Sequence, residues 1–438
     1  MKFYNREKEI ERLLRIKKAS EKTAQFAVMT GRRRIGKTQL LLEAYKNTAL
    51  YFFVAKKSEA LLCKDFQTEL LQKLNIPILG TVESFAELFE FVLQLSYNQQ
   101  ITLIIDEFQE FFTVNSAVYS DMQRLWDLHK DRAKINLVVS GSVISLMHKI
   151  FENNKEPLFG RANHFFRLKP FETRVLKEIL TDFNPNYKAD DLLALYGFTG
   201  GVAKYVQLFM DNGWTTKDQM INGMIDENSI FISEGKNLLV EEFGKDYHTY
   251  FSILALISEG KTSRSEIENV LGKEIGGYLT KMENDFQLIK KTQPIFTQSR
   301  TKNVKYQLLD NFLTFWFRFV YRYIHIVEIG AYEQLQIIIH RDFETVSGFM
   351  LEKYFRIKAV ETQKYTQIGS FWDRKGETEI DFIAVNELNK TIDFAEIKRN
   401  KEKINLEILR QKAYEFLKTN PQLKDFEAHY HAWSLEEM

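Results

Sequence analysis

The sequence predicts an α/β fold that opens with a parallel sheet covered by helices, passes through a helical region, and returns to mixed α/β near its C-terminus. Three observations lead there. Over the first 170 residues short β-rich runs alternate with helical stretches. From Pro170 to about Lys245 the pattern turns helical, with a break at Gly200-Gly201. The last hundred residues carry a hairpin pattern over Glu379 to Lys398.

At 438 residues the length suits about three domains, each able to bury its own core. The patterning divides the chain into segments 1–170, 171–245, 246–310, 311–345 and 346–438. In the first, the expected strands are Gln25 to Thr30, Leu50 to Val54, Ile101 to Asp106, Asn136 to Ser140 and Phe165 to Leu168. The second reads as a small helical lid. The third reads as three helices and a hairpin, Gln287 to Lys291 with Val304 to Leu308, the order of a winged helix.

Segment 311–345 opens on the aromatic run Phe312 to Val327, where Phe312, Phe315, Trp316, Phe319 and Tyr323 recur at helical spacing and predict a buried helix. Arg318 and Arg322 interrupt it, and it falls short of the roughly 20 apolar residues that span a bilayer, so no membrane association is expected.

Composition is that of a globular chain, with 45% apolar and 27% charged residues. A net charge of +1 gives no global attraction to nucleic acid, so any such contact needs a local patch. The single cysteine, Cys63, leaves no internal disulfide and fits a reducing compartment. Met1 to Ser20 mixes charges and lacks the apolar core of a signal peptide, so a cytoplasmic location is expected.

Residues 31 to 38, Gly31-Arg32-Arg33-Arg34-Ile35-Gly36-Lys37-Thr38, match G-x-x-x-x-G-K-[ST], after a predicted strand and at the opening of a predicted helix. Glycines let the loop curl so that its N–H groups face phosphate, and the helix N-terminus adds positive potential. Lys37 is expected to reach the β- and γ-phosphates of ATP and Thr38 to ligate Mg²⁺, with Gln39 beside them in the first turn. The apolar strand Ile101 to Ile105 ends in Asp106 and Glu107; the first is expected to hold the metal and the second to orient or deprotonate the attacking water.

Other residues have two readings each. Ser142, past the next strand, is a γ-phosphate sensor or a helix N-cap. Arg161 is an arginine finger, serving its own or a neighbouring subunit's ATP in a homo-oligomer, or a surface arginine. Lys204, on a lid helix, touches phosphate on closure or is a surface lysine.

Asn5-Arg6-Glu7, the GRRRIGKT loop, the IIDEFQ strand, the SGS turn, the LFGR segment and TGGVAKY together resemble the archaeal-type ATPases of the AAA+/STAND group over about the first 210 residues. Ala203 stands where that family commonly has Pro. The resemblance implies an AAA+ parallel sheet and helical lid, followed by a winged helix and a C-terminal α/β domain similar to restriction endonucleases, the PD-(D/E)XK nucleases. Tyr306-Gln-Leu-Leu-Asp310-Asn-Phe312 and FWFRFV are similar to that family's junction.

Read from residues alone, the tail pairs Glu379-Ile-Asp381 with Glu396-Ile-Lys398. A symmetric hairpin with Asn386 opposite Thr391 sets Asp381 opposite Glu396. Opposed like charges are unfavourable unless something positive lies between, and a divalent metal would serve. The nuclease resemblance implies Mg²⁺ held by Asp381 and Glu396, water activated or positioned by Lys398, and a further acid from a helix, Glu352. Gln411 and Tyr414 faintly resemble accessory residues of such enzymes. The alternative is a charged hairpin with a solvated face.

Between Gln287 and Leu308 the basic residues Lys290, Lys291, Arg300, Lys302 and Lys305 occur with no acid among them, a strip that suits DNA phosphates or, equally, a solvated hairpin. Two functions follow. One is an ATP-driven switch acting on nucleic acid with a Mg²⁺-dependent nuclease tail. The other is an ATP-dependent signalling or assembly protein with an inactive tail.

Overall fold

The computed structural model describes the chain apart from residues 47, 77–79, 81, 244–246, 298–300, 302 and 374–377, and describes residue 241 by its backbone alone. It forms two compact units, Asn5–Lys169 and Met1–Tyr4 with Pro170–Met438.

In the unit Asn5–Lys169 five parallel strands form one sheet: β1 (Gln25–Thr30), β2 (Leu50–Phe53), β3 (Ile101–Asp106), β4 (Ile135–Gly141) and β5 (His164–Arg167), in the order β2-β3-β4-β1-β5. Every residue of β3 and β4 is buried, because helices cover both faces and leave no side to solvent. The edge strands β2 and β5 expose part of theirs. Aromatic packing fills one face, with Phe52 stacked on Phe66 at 4.3 Å between ring centres. With β4 between β1 and β3, the loop after β1 and the end of β3 lie on either side of Ser140–Ser142. That is the C-terminal crevice where open α/β sheets gather ligands.

The unit containing Pro170–Met438 begins with helices Thr173–Phe183, Ala189–Thr199, Ala203–Asp211, Lys217–Met224 and Phe231–Phe243. Helices Tyr247–Ser258, Arg264–Leu271 and Gly276–Asn284 follow, and then an antiparallel pair, β6 (Ile289–Thr292) and β7 (Lys305–Leu308). Ser263 caps the second of these helices reciprocally with Glu266.

The run from Phe312 is buried over its first part, where Phe312, Phe315, Trp316 and Phe319 are covered, but Tyr321 to Val327 are half-buried or exposed, and it is not one α-helix. Asn311–Phe315 is α-helical, Trp316–Tyr321 is a π-helix, and Ile324–Glu328 is a short separate helix. The π turn lets consecutive residues find cover on different sides. Phe315 meets Phe198, Trp316 donates its indole N–H to the Ile232 carbonyl at 2.9 Å, and Phe317 meets Phe251. Among the described residues no helix is long and apolar enough to cross a membrane.

One helix, Tyr332–Glu361, runs straight through residues 345 and 346. It leads into a four-stranded sheet of β8 (Gln367–Trp372), β9 (Glu379–Asn386), β10 (Thr391–Ile397) and β11 (Glu427–Trp433), ordered β11-β10-β9-β8. β8, β9 and β10 are antiparallel neighbours; β11 lies parallel to β10 after a crossover through helix Leu406–Thr419. That helix places Leu409, Ala413 and Phe416 on Ile383, Val385, Ile392 and Phe394.

The β6–β7 hairpin loop is fastened to this sheet. Ile295 N–H donates to the Ser370 carbonyl at 2.9 Å, and Ile295 and Phe296 pack against the sheet's core. Asn303 exchanges hydrogen bonds with Trp372, its amide to the carbonyl at 3.2 Å and the indole to its Oδ1 at 2.9 Å. Lys305 pairs with Glu379 at 3.1 Å.

Candidate functional site

The loop between β1 and helix Lys37–Tyr45 needs its glycines. A Cβ on Gly31 would stand 3.0 Å from the Leu168 carbonyl oxygen and 3.1 Å from Ile35, and Gly36 sits at φ 95°, where side chains are rarely tolerated. Arg34 also takes a positive φ, 68°. The curl turns Lys37 inward: only 6% exposed, its ammonium donates to the carbonyls of Gly31 at 2.9 Å and Arg32 at 3.4 Å. Burial pulls Lys37 below the ordinary lysine pKa, against the attraction of Glu107 and Asp106. Within the same segment Ile35 is buried under the loop, Arg32 and Arg34 are half-buried, and Arg33 and Gln39 are exposed.

Asp106, at the end of β3, is buried and fully engaged. Its Oδ2 accepts from the Thr38 hydroxyl at 2.6 Å and the Tyr51 phenol at 2.7 Å. Its Oδ1 accepts from the Ser140 hydroxyl and from the Glu107 N–H at 3.0 Å. Desolvation, then the Asp106 charge, raises the Tyr51 phenol, which stays protonated and donating.

Glu107 occupies a left-handed backbone position, φ 52°, so its side chain leaves the line of the strand. Its Oε2 accepts from Gln109 Nε2 at 2.6 Å and from Ser142 Oγ at 2.7 Å. Gly31, Gly36, Lys37, Thr38, Asp106, Glu107 and Ser142 are thus gathered around one crevice, six of them joined by hydrogen bonds. The hydroxyl of Thr38 and the carboxylate of Asp106, both hard oxygen donors, fit a magnesium ion.

Arg161 donates to Asp127 Oδ2 at 3.0 Å from one terminal nitrogen and to the Phe159 carbonyl at 2.9 Å from the other. Lys204 is exposed on helix Ala203–Asp211, in the other unit.

The C-terminal residues also converge. The register pairs Asn386 with Thr391 and runs to Phe382 opposite Ala395, so the next step faces Asp381 toward Glu396. Asp381 Oδ2 accepts from the Ile397 N–H at 2.9 Å, and Lys398 Nζ lies 3.4 Å from Asp381 and 3.2 Å from Glu396. The Lys398 ammonium thus lies beside both of the carboxylates that the sequence reading offered to a metal. Among the described residues no three His, Cys, Asp or Glu side chains form a metal-ligand group.

Glu352, on helix Tyr332–Glu361, is pushed up to about 8 by burial and by the Asp381 charge, against Arg356 and Lys398. Burial likewise raises Asp381. Gln411 and Tyr414 are exposed on helix Leu406–Thr419. Of the basic strip, Lys290 and Lys291 are exposed and Lys305 pairs with Glu379, while Arg300 and Lys302 fall outside the described residues.

Sequence reasoning missed Tyr51, Gln109, Arg356 and Lys412. Arg356 donates to the Asp381 carbonyl at 3.2 Å, and Lys412 lies 3.7 Å from Glu396. Gln109 stands two residues past Glu107 and was legible as a candidate. The others meet their partners only across the fold, and nothing local marks them.

Residues 3–209 match a family described as an ATPase domain predominantly from Archaea, and residues 316–412 match archaeal and bacterial proteins of unknown function. An uncharacterised protein of Methanocaldococcus jannaschii is 30% identical over 405 residues, covering 90% of this chain and 87% of that one. Among solved structures, the Walker-type ATPase of Pyrococcus abyssi superposes with a TM-score of 0.52 at 18% identity, over 72% of this chain and 96% of that one. Its likeness is one of fold. With the loop and its acids in place, and the relative matched along most of both chains, the chain belongs to one family with that Methanocaldococcus jannaschii protein, carries the ATPase domain found predominantly in Archaea, and is a P-loop ATPase.

Proposed function

We propose that the chain binds and hydrolyses Mg²⁺·ATP at the 31–38 loop and that nucleotide state drives a switch acting on nucleic acid. The observation that carries the first part is the hydrogen-bonded set Thr38, Asp106, Glu107 and Ser142 beside a buried Lys37. Lys37 exchanges the loop carbonyls for phosphate oxygens, a better partner for a buried ammonium. Thr38 and Asp106 hold the magnesium, which when bound supplies positive charge to the phosphate oxygens. Glu107, once released by Ser142 and Gln109, takes a proton from the attacking water, and the freed Ser142 hydroxyl is available to the γ-phosphate. Backbone N–H groups of residues 32 to 38, with the Arg32, Arg33 and Arg34 side chains at the rim, line the phosphate side.

Arg161 serves as a finger only after leaving Asp127, which a neighbouring subunit's nucleotide in a homo-oligomer would favour. We assign Lys204 to the lid, and the cytoplasm as location, where buried Cys63 stays reduced. Isothermal titration with ATP and Mg²⁺ tests the pocket. Heat of binding is expected from the wild type and not from Lys37→Ala, and equal binding by both would move the pocket elsewhere.

For the remainder, the order of three helices and a hairpin supports a winged helix over 246–310. The exposed Lys290 and Lys291 support contact with DNA phosphates there. Helix, three antiparallel strands, helix and a parallel strand, with Asp381, Glu396 and Lys398 together at one end of the two central strands, support a nuclease-like tail. A second reading, an inactive tail in a signalling or assembly protein, is favoured by the Lys398 ammonium already pairing with both carboxylates. Incubating purified protein with DNA and Mg²⁺ or Mn²⁺ separates them: cleavage lost in Asp381→Ala with ATP turnover intact supports the nuclease, and no cleavage supports the second reading.

A further inference from the structure

The crevice contains a residue that the P-loop motif does not include. Tyr51 lies on the edge strand β2, opposite Ile104 of β3, and its hydroxyl reaches past the strand to Asp106 Oδ2 at 2.7 Å. The same oxygen accepts from Thr38 at 2.6 Å, and the other oxygen takes Ser140 and the Glu107 N–H. A carboxylate has about four acceptor sites. All are filled here, and three of the four donors are hydroxyls.

We propose that Tyr51 is a positioning residue for the magnesium of the ATP site, fixing Asp106 so that its Oδ2 stays against the Thr38 hydroxyl before any metal arrives. The inference rests on the ATP-binding reading given above. A carboxylate on a single χ2 torsion turns broadly unless both oxygens are held, because that torsion has no sharp staggered wells. Ser140 and the Glu107 N–H hold one oxygen from the sheet side. Thr38 will itself become a metal ligand, so its contribution to holding Oδ2 changes when the metal binds. Tyr51 is the donor on Oδ2 that keeps its role in both states. It is anchored in turn: its N–H donates to Glu69 Oε1 at 3.2 Å, and its strand pairs with β3 from Leu50–Leu103 to Phe53–Asp106. Partners of metal ligands that act through such hydrogen bonds typically change metal affinity about 10- to 100-fold when removed.

The test uses the full-length chain and ATP, with affinity measured by calorimetry in EDTA and across a Mg²⁺ series. Tyr51→Phe removes the hydroxyl and keeps the ring; Tyr51→Met fills similar volume without a donor and carries the same test if the first variant fails to fold. For the wild type, Mg²⁺ should tighten ATP binding. In the variants metal-free affinity should stay within about twofold, while half-saturating Mg²⁺ rises about tenfold. An unchanged Mg²⁺ dependence overturns the inference, and so does an equal loss of metal-free affinity, which would make Tyr51 a packing residue. Absence of ATP binding by the wild type would instead overturn the pocket itself.

Discussion

Ser142 and Glu107 share a hydrogen bond of 2.7 Å, so the residue suited to sensing the terminal phosphate and the residue suited to handling the water are tied to each other. Gln109 adds a second donor at 2.6 Å on the same carboxylate oxygen. These two donors occupy the lone pairs of that one oxygen.

Replacing Glu107 with Gln should leave ATP affinity within about threefold and lower turnover about 100-fold or more, the usual scale for a positioned base. A coupled phosphate-release assay beside a binding titration checks it. Retained turnover would remove Glu107 from the chemistry.

Gly36→Ala should lower stability by about 1–3 kcal/mol, because φ 95° is strained for any side chain. Denaturant melts give the loss. ATP binding should fall with it, since a relaxed loop no longer points its N–H groups inward.

Stability in the Asp381 region should decline as pH rises. Glu352 titrates near 8 in the folded chain and near 4.5 when unfolded, so between these values the folded state binds the extra proton and the stability it confers is lost on going up through the window. Glu352→Gln should flatten this decline and be more stable than wild type at pH 8 by about 1 kcal/mol or more, one pKa unit being worth about 1.4 kcal/mol. Melting curves from pH 5 to 8.5 decide; parallel curves for the two proteins would refute it.

Lys398→Met leaves Asp381 and Glu396 facing each other with their nearest cation gone. With Lys398 partly exposed and Lys412 still nearby, a loss of about 1–2 kcal/mol is expected at pH 7.5. Mg²⁺ or Mn²⁺ should raise the melting temperature of this variant more than that of the wild type. Equal shifts would mean that the carboxylates do not take a cation even when their own is removed.

The P-loop and the acids after β3 were legible because each is a local signal: a glycine pattern between an apolar strand and a helix, and a continuous apolar run ending in Asp106-Glu107. The register of β9 with β10 was legible from a short loop between alternating strands. Other features were not. β8 contains Gly369 and Ser370 and so lacks the apolar alternation that marks a strand, while β11 alternates only Ala428, Tyr430 and Ala432 with Glu427, His429 and His431, a weak apolar signal. The π turn at Trp316 answers to partners on three separate helices, which no spacing within the run records. Lys398 was counted as a helper of a metal, and that it also pairs with both carboxylates follows from side-chain reach that spacing does not record. Tyr51 reaches Asp106 through strand adjacency, 55 positions apart in the chain.

The fastening of the β6–β7 loop to β8 bears on how this protein can be taken apart. Ile295 and Phe296, both half-buried, pack against the hydrophobic core of the C-terminal sheet although they precede it by some seventy positions. A fragment ending near residue 345 would cut helix Tyr332–Glu361 in half and strand those two side chains in water, inviting self-association. Conversely, the tail expressed from residue 346 would have a gap where they belong. Evolution by shuffling faces the same obstacle: a different tail could be grafted on only together with the hairpin that plugs into it.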